Sequence, residues 1–357
     1  MTERIAPRDS VALMDGYHSP QLDVAVRLNT NESPEAPPEA FTRALTARIA
    51  DVDWNRYPSR DAAELRTRIA ALYGLSAGNV FAANGSNEVL QTLLLTYGGP
   101  GRRAAMFEPT YALHSHLSRI SATTVVEAER GPDFAIDLDV VREVLAEHQP
   151  SVVFLCSPNN PTGVVDPPET IRTVLDLVAD HGGLLCVDEA YGQFAEFSAV
   201  ELLGEDVPLV VSRTYSKTWA MAAARLGYLL GPRWVIAELE KVVLPYHLDA
   251  MTQIAGLVAL DHLSEMQERV ERLRSERQRV SAALSELPVD VWPSEANFVL
   301  FRPQERSGDQ VWQGLVDRSV LIRNCSSWPR LEGCLRVTIG TVAENNRFLE
   351  SLREVLQ

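Results

Sequence analysis

The chain has 357 residues, 46% hydrophobic and 23% charged, with a formal net charge of −15. That length exceeds the usual size of a single core, so a large domain with a smaller one is expected. The acidic excess argues against nucleic acid and anionic membrane surfaces, and an anionic small molecule would have to be drawn by local arginines against the overall field.

The first residues are polar and lack a signal-peptide core, and no apolar run reaches membrane-span length. Four cysteines, Cys156, Cys186, Cys325 and Cys334, form no CxxC pair. They read as buried free thiols of a reducing compartment, and the expected location is the cytoplasm.

Residues 1–27 have little periodicity and read as an arm. Turn formers dominate 28–38, and helical spacing predicts helices over 39–49 and 61–73, the second stopped by Gly74. From residue 80 the pattern alternates. Strands are predicted at 80–83, 104–107, 123–127, 151–156, 183–188, 208–213 and 226–230, with helices at 89–97, 137–148 and 168–181. Such alternation implies an α/β fold with a mostly parallel sheet covered on both faces, and ligands in such sheets sit at the C-terminal strand ends. The loops 84–88, 108–111, 157–163, 188–191 and 214–225 fall there. One long helix is predicted over 252–286, its charged second half a solvated face. Beyond it, strands near 289–302, 319–323 and 334–339 and helices near 308–318 and 343–356 form a second α/β layer.

Chemistry concentrates in these loops. Lys217 follows a buried strand among Thr214, Ser216 and Arg225; an amine beside hydroxyls and a guanidinium suits an aldehyde cofactor with a phosphate tail, and a solvated surface Ser-Lys pair is the alternative. Gly85, Ser86 and Asn87 open a helix, whose free N–H groups and dipole can bind an anion; an ordinary capped helix is the alternative. Asn160, in SPNNPTG at 157–163, can present an amide from a rigid turn or serve the turn alone. Asp188 continues an apolar strand and needs a cation there. A protonated ring nitrogen would serve, as would a metal or a structural ion pair. Tyr111 can stack on a flat heterocycle or simply pack. Arg323 and Arg336 lie on two C-terminal strands and suit a bidentate anion or internal ion pairs. The seven histidines have no ligand spacing; His114 and His116 alternate on a strand or turn and read as packing.

The order of these segments resembles the fold-type I pyridoxal-phosphate aminotransferases, most closely the histidinol-phosphate aminotransferase family. The resemblance runs over about 28–356. It is carried by LNTNESP at 28–34, RYP at 56–58, NGSNE at 84–88, PTY at 109–111, SPNNPTG, DEAY at 188–191, RTYSK at 213–217, Arg225, ANF at 296–298 and LRVTIG at 335–340. Ala223-Ala224 stands where Gly-Leu is more usual, and His247 where Asn is common. The resemblance implies a large cofactor domain over 51–265, a small C-terminal domain over 266–357 to which 28–50 contribute, and an arm over 1–27. It implies pyridoxal 5'-phosphate as cofactor, with Lys217 forming the imine and then acting as general acid/base. Asp188 would pair with the ring nitrogen, Asn160 and Tyr191 bond the ring oxygen, and Tyr111 stack on the ring. Gly85, Ser86, Asn87, Thr214, Ser216 and Arg225 would surround the phosphate, with Tyr57 supplied by the neighbouring subunit of a homodimer. Arg336 and Arg323 would grip the substrate's anionic end, with Asn31 at the substrate entrance and Tyr17 on the arm near the substrate. The implied reaction is ping-pong transamination between histidinol phosphate and 2-oxoglutarate, giving imidazole acetol phosphate and glutamate. An aromatic amino-acid aminotransferase, a phosphorylated-amino-acid decarboxylase and a non-catalytic regulatory protein of this fold are the alternatives.

Overall fold

The computed structural model describes residues 5–12, 14, 16 and 21–357. Two sheets carry the chain. Seven strands, β2 (Val80–Asn84), β3 (Arg103–Glu108), β4 (Thr124–Glu129), β5 (Val152–Cys156), β6 (Leu184–Asp188), β7 (Leu209–Thr214) and β8 (Leu226–Leu230), form one sheet in the order β2-β8-β7-β6-β5-β3-β4. Neighbouring strands are parallel except at β8, which runs against both β2 and β7. Every residue of β5, β6 and β7 is buried, as continuous apolar strands covered on both faces must be. Successive side chains point to opposite faces. Phe154, Cys186 and Val210 pack with Val89, Leu93 and Val235 of the helices Gly85–Tyr97 and Arg233–Val242. Val153, Leu185 and Val211 pack with Val141 and Val174 of the helices Leu138–His148 and Pro168–Asp180.

The second sheet has five strands. They are β1 (Val26–Leu28), β9 (Val289–Val291), β10 (Phe298–Pro303), β11 (Val320–Asn324) and β12 (Leu335–Thr338), in the order β1-β11-β12-β10-β9. β1 pairs parallel with β11, so the sheet takes in Val26 and Arg27 from the segment expected to be an arm. Helices Gly308–Val316 and Val342–Leu356 cover it through Val311, Leu315, Phe348 and Leu352, all fully buried.

Register positions the site. Asn84 is level with Leu226, Cys156 with Asp188, Asp188 with Ser212, and Thr214 with Gly227. The ends of β2, β3, β5, β6 and β7 and the start of β8 therefore share one edge, where the five chemistry-bearing loops open. In the second sheet, Arg323 lies directly opposite Arg336.

Three readings are corrected. The helix predicted over 252–286 is two, Ala250–Leu260 and Leu263–Ser285. The first is buried from Ala255 to Leu260, whereas the second is amphipathic. The break falls at Asp261 and His262, where no glycine or proline marks it; the His262 ring bonds Glu265 at 3.0 Å in the new first turn. His114 and His116 lie on a helix, Leu113–Ile120, not a strand or turn. The helix predicted from Val89 begins at Gly85, so the glycine is its first residue.

Candidate active site

A cavity of about 330 Å³ opens at the shared strand edge. Both sheets line it. The seven-stranded sheet and its loops contribute Ser86, Asn87, Tyr111, Asn160, Asp188, Tyr191, Thr214, Ser216, Lys217 and Arg225, and the five-stranded sheet contributes Arg323, Trp328 and Arg336. Asn29 to Glu32, which follow β1, close a further wall. Lys217, Arg225, Arg323 and Arg336 outnumber Asp188 and Glu32 among the charged lining residues, so the cavity is locally cationic within an acidic chain.

Lys217 follows the end of β7, and its Nζ donates to the carbonyl of Thr30 at 3.1 Å. Loss of water around the amine, with Arg336 and Arg225 nearby and Glu32 opposing them, brings its pKa down to about 8. About a tenth of the amine is then neutral at pH 7, against well under a hundredth for an ordinary lysine, and the neutral form is the nucleophile.

Asp188 is 1% exposed at the end of β6. Its Oδ1 accepts from Ser212 Oγ at 2.9 Å and from the Ala190 N–H at 3.1 Å. His114 Nε2 lies 3.1 Å from Oδ2. No lysine or arginine pairs with it among the described residues. A buried carboxylate without a fixed cation, lining a cavity, suits a cation that arrives with a ligand. His114, read from sequence as packing, is held between Phe154, stacked at 4.7 Å, and Tyr111, edge-on at 5.5 Å. Its i+3 position from Tyr111 on a helix start was the available signal. Glu189 turns the other way and pairs with Arg213 at 2.7 Å beneath the site.

A cup on the cavity wall is built from backbone shape. Gly85 has φ +78, and a Cβ there would stand 2.6 Å from Nη2 of Arg225. Ser86 and Asn87 follow in the first helical turn, where N–H groups have no helical acceptor. Thr214 Oγ1 donates to Ser216 Oγ at 3.0 Å, and Arg225 Nη1 donates to the same Oγ at 3.4 Å. Ala222–Ala224 form a tight turn that delivers Arg225 at φ +52. Alanine in place of the usual Gly-Leu thus leaves the guanidinium at the cup. Hydroxyls, helical N–H groups and a guanidinium around a space kept clear by glycine fit a phosphate monoester.

Asn160 Oδ1 accepts from Arg336, whose Nη2 also donates to the Asn29 carbonyl at 3.1 Å. The Arg336 guanidinium lies over the Phe298 ring at 5.0 Å. Tyr191 is buried and its hydroxyl accepts from Asn31 Nδ2 at 2.9 Å. Burial, the first cause, pushes its pKa above the ordinary tyrosine value. Asn31 is only 1% exposed and bonds Thr338 as well. It is therefore a wall residue that fixes Tyr191, not a residue at the entrance. Tyr111 donates to Asn87 Oδ1 at 3.3 Å. Tyr57 lies away from this cavity, 80% exposed and stacked on Tyr246 at 4.6 Å. Tyr17 and His18 lie outside the described residues. No cluster of three or more metal-ligating side chains occurs among the described residues.

The family model for aminotransferase class I and II matches residues 23–352. The chain belongs to the aminotransferase class I and II family. It is 44% identical to a histidinol-phosphate aminotransferase of Corynebacterium diphtheriae, over 98% of this chain and 96% of the relative. It is 45% identical to another of Mycolicibacterium smegmatis, over 98% and 93%. The fold matches the crystal structure of a histidinol-phosphate aminotransferase from Sinorhizobium meliloti in complex with pyridoxal-5'-phosphate. The TM-score is 0.85 at 22% identity, covering 93% of this chain and 91% of that one. The cavity between the two sheets brings together an amine, a buried carboxylate and a cup of hydroxyls, helical N–H groups and a guanidinium.

Proposed function

We propose that this aminotransferase uses pyridoxal 5'-phosphate to exchange an amino group between histidinol phosphate and 2-oxoglutarate, yielding imidazole acetol phosphate and glutamate. One observation carries the reading: the Lys217 amine, with its lowered pKa, shares a cavity with the phosphate cup and with two opposed arginines. The names of the relatives support the substrate. Ser86, Asn87, Thr214, Ser216 and Arg225, with Gly85 leaving room, would hold the cofactor's phosphate. Asp188 would face its ring nitrogen, Asn160 and Tyr191 its ring oxygen, and Tyr111 its face. When bound, the cofactor supplies an electron sink for charge left at the substrate's α-carbon.

The chain's residues do the rest. Asp188, held by Ser212, Ala190 and His114, stays oriented and favours a protonated ring nitrogen. Lys217 takes the proton from the α-carbon and holds it at Nζ, close to the pH at which its own proton leaves. Arg336, braced by Asn160 and Asn29, binds the anionic end of either substrate and fixes the α-carbon toward Lys217. Both substrates carry such an end, so one pocket can serve both half-reactions.

The separate sheets support a division into a large domain over 51–265 and a small one over 266–357 joined by 28–50. The active form is a homodimer in the cytoplasm. Support for the dimer is the exposed, stacked pair Tyr57 and Tyr246, with Trp54 and Leu244 also exposed; exposed large apolar residues are what a second copy covers, with Tyr57 reaching the partner's phosphate cup. No helix among the described residues is long and apolar enough to cross a membrane.

The test is an absorption spectrum of the purified protein with pyridoxal 5'-phosphate, followed by turnover of histidinol phosphate, phenylalanine and threonine phosphate with 2-oxoglutarate. Histidinol phosphate should be the preferred donor. Faster phenylalanine turnover would make the chain an aromatic aminotransferase. Carbon dioxide release from threonine phosphate would make it a decarboxylase. Absence of any cofactor band would leave a non-catalytic protein.

A further inference from the structure

Arg269 sits in the charged run of helix Leu263–Ser285 that reads from sequence as a solvated face, yet it is 4% exposed. It does not line the cavity that holds Lys217. Its Nη1 donates to the Thr218 carbonyl at 3.1 Å and its Nη2 to the Ala36 carbonyl at 3.4 Å. Its Nε has no partner among the described residues. Glu35 acts on it through space but pairs with Arg272 at 2.7 Å. Burial therefore lowers the pKa of Arg269 below the ordinary arginine value. A charge held on carbonyls alone is costly to bury; what it secures is the position of two carbonyls.

Both carbonyls belong to segments that surround the amine. Thr218 directly follows Lys217, is fully buried, and its hydroxyl donates to Gln193 Oε1 at 2.6 Å. The same turn is closed by the Ala220 N–H on the Lys217 carbonyl at 3.3 Å and the Met221 N–H on the Tyr215 carbonyl at 3.1 Å. Ala36 lies on the stretch after β1 whose residues 29–32 form a cavity wall, and in that wall the Thr30 carbonyl accepts from Lys217 Nζ at 3.1 Å. Arg269 and Lys217 thus span the same gap, each joining the turn after β7 to the segment after β1. Arg269 does so from behind, on a helix that belongs to neither.

We infer that Arg269 is a positioning residue for the reaction: by holding the Thr218 and Ala36 carbonyls together it keeps the turn that carries Lys217 closed against the wall that carries Thr30, so that the amine stays aimed into the cavity and short of water. The inference rests on Lys217 being the reacting amine of the function proposed above. Arg336 and Arg225, with Glu32 opposing them, are the charges that act on the amine, and Asp188 and Arg323 share its cavity. A change at Arg269 leaves all of them in place, so its effect reaches the amine through the wall. Opening the wall admits water, and the pKa of Lys217 then returns toward the ordinary lysine value.

The test begins with the full chain free of cofactor. Lys217 and Lys241 are its only lysines, and Lys241 is exposed on helix Arg233–Val242. Reductive methylation with a carbon-13 label marks both, and the Lys217 methyl resonance follows the titration of that amine. Arg269→Leu should move its midpoint from about 8 toward about 9. Amide hydrogen exchange over residues 29–36 and 217–221 should quicken about tenfold, with β5 and β6 unchanged. In the cofactor-loaded enzyme kcat should fall about tenfold, while KM for the amino donor moves by less than about twofold. Arg269→Lys can still reach one carbonyl and should recover part of each change. Arg274→Leu is the control. Arg274 ties the same helix to the Phe194 and Ala195 carbonyls at 2.9 Å each and bonds neither segment, so its loss should leave the Lys217 midpoint in place. A midpoint unmoved in Arg269→Leu, exchange that quickens throughout the chain, no recovery in Arg269→Lys, or the same shift in Arg274→Leu would each overturn the inference. If the unmodified protein takes up no pyridoxal 5'-phosphate, the functional reading falls, while titration and exchange of the cofactor-free protein still decide the role of Arg269.

Discussion

The Lys217 amine has a pKa of about 8 against 10.5 for an ordinary lysine. Between those values the unfolded chain carries a proton that the folded chain has released, so stability rises with pH across the window. At pH 7, below both, the folded chain carries the full cost of a charged amine short of water. Lys217→Met should therefore stabilise the cofactor-free protein at pH 7 by about 1–2 kcal/mol, after discounting for the part of the side chain that meets the cavity. Urea denaturation at pH 7 and pH 10 checks the sign: the gain should shrink at the higher pH. Capture of pyridoxal 5'-phosphate by the unmodified protein should speed up with pH and level off above about 8, as the neutral amine is the nucleophile. His114 bonds Asp188 and does not itself line the cavity, so a positioning role is expected of it. His114→Phe keeps an aromatic ring beside Phe154 but removes the bond to Oδ2. A fall in kcat of about tenfold is expected, with a shift in the pH dependence of the bound cofactor's absorption. His114→Gln, which retains an amide donor, should recover part of both; a spectrum that does not move in either variant would reduce His114 to packing.

Helix Gly85–Tyr97 and strands β7 and β8 meet at the cup proposed for phosphate, and glycine sets how closely. A Cβ at Gly227 would stand 2.2 Å from the Ser86 nitrogen, against backbone that cannot swing aside. Gly227→Ala should push the helix start off β8, costing about 1–3 kcal/mol of stability and weakening cofactor binding. Gly182→Ala is the control: φ is +68 but nothing lies within 4 Å of the added carbon. It should cost about 1 kcal/mol through backbone strain alone and leave cofactor binding as it was. The parallel strands were legible in the sequence because burial on both faces demands unbroken apolar runs, as in β5 and β6. The split at Asp261 and His262 was not, since both halves keep helical spacing and only packing separates a buried helix from a solvated one. Helix Arg233–Val242 and strand β1 also escaped. The first follows a buried strand closely, and the second has three residues, too few for a period.

For the whole molecule, the cavity is cationic although the chain's formal net charge is −15. The exposed Tyr57–Tyr246 stack lies beside Leu244, itself 75% exposed. Burying such a patch against a second copy favours association, and a charge placed in it opposes association. Leu244→Asp should shift sedimentation from dimer toward monomer, with activity rising steeply with protein concentration. Activity per chain that stays constant across that shift would mean that no residue of a partner completes the site.

The sequence by itself determined the alternating α/β architecture, the loops that line the cavity, and the amine, carboxylate, hydroxyls and guanidinium those loops carry. These are local properties, written in apolar runs, turn formers and residue types at strand ends. Tertiary structure alone decided which of them meet. Register across β11 and β12 set Arg323 against Arg336, and a wall of the cavity came from residues 29–32, some 185 positions before Lys217. It also gave His114 and Trp328 their places, since a buried ring's partner depends on long-range packing that no spacing along one chain encodes.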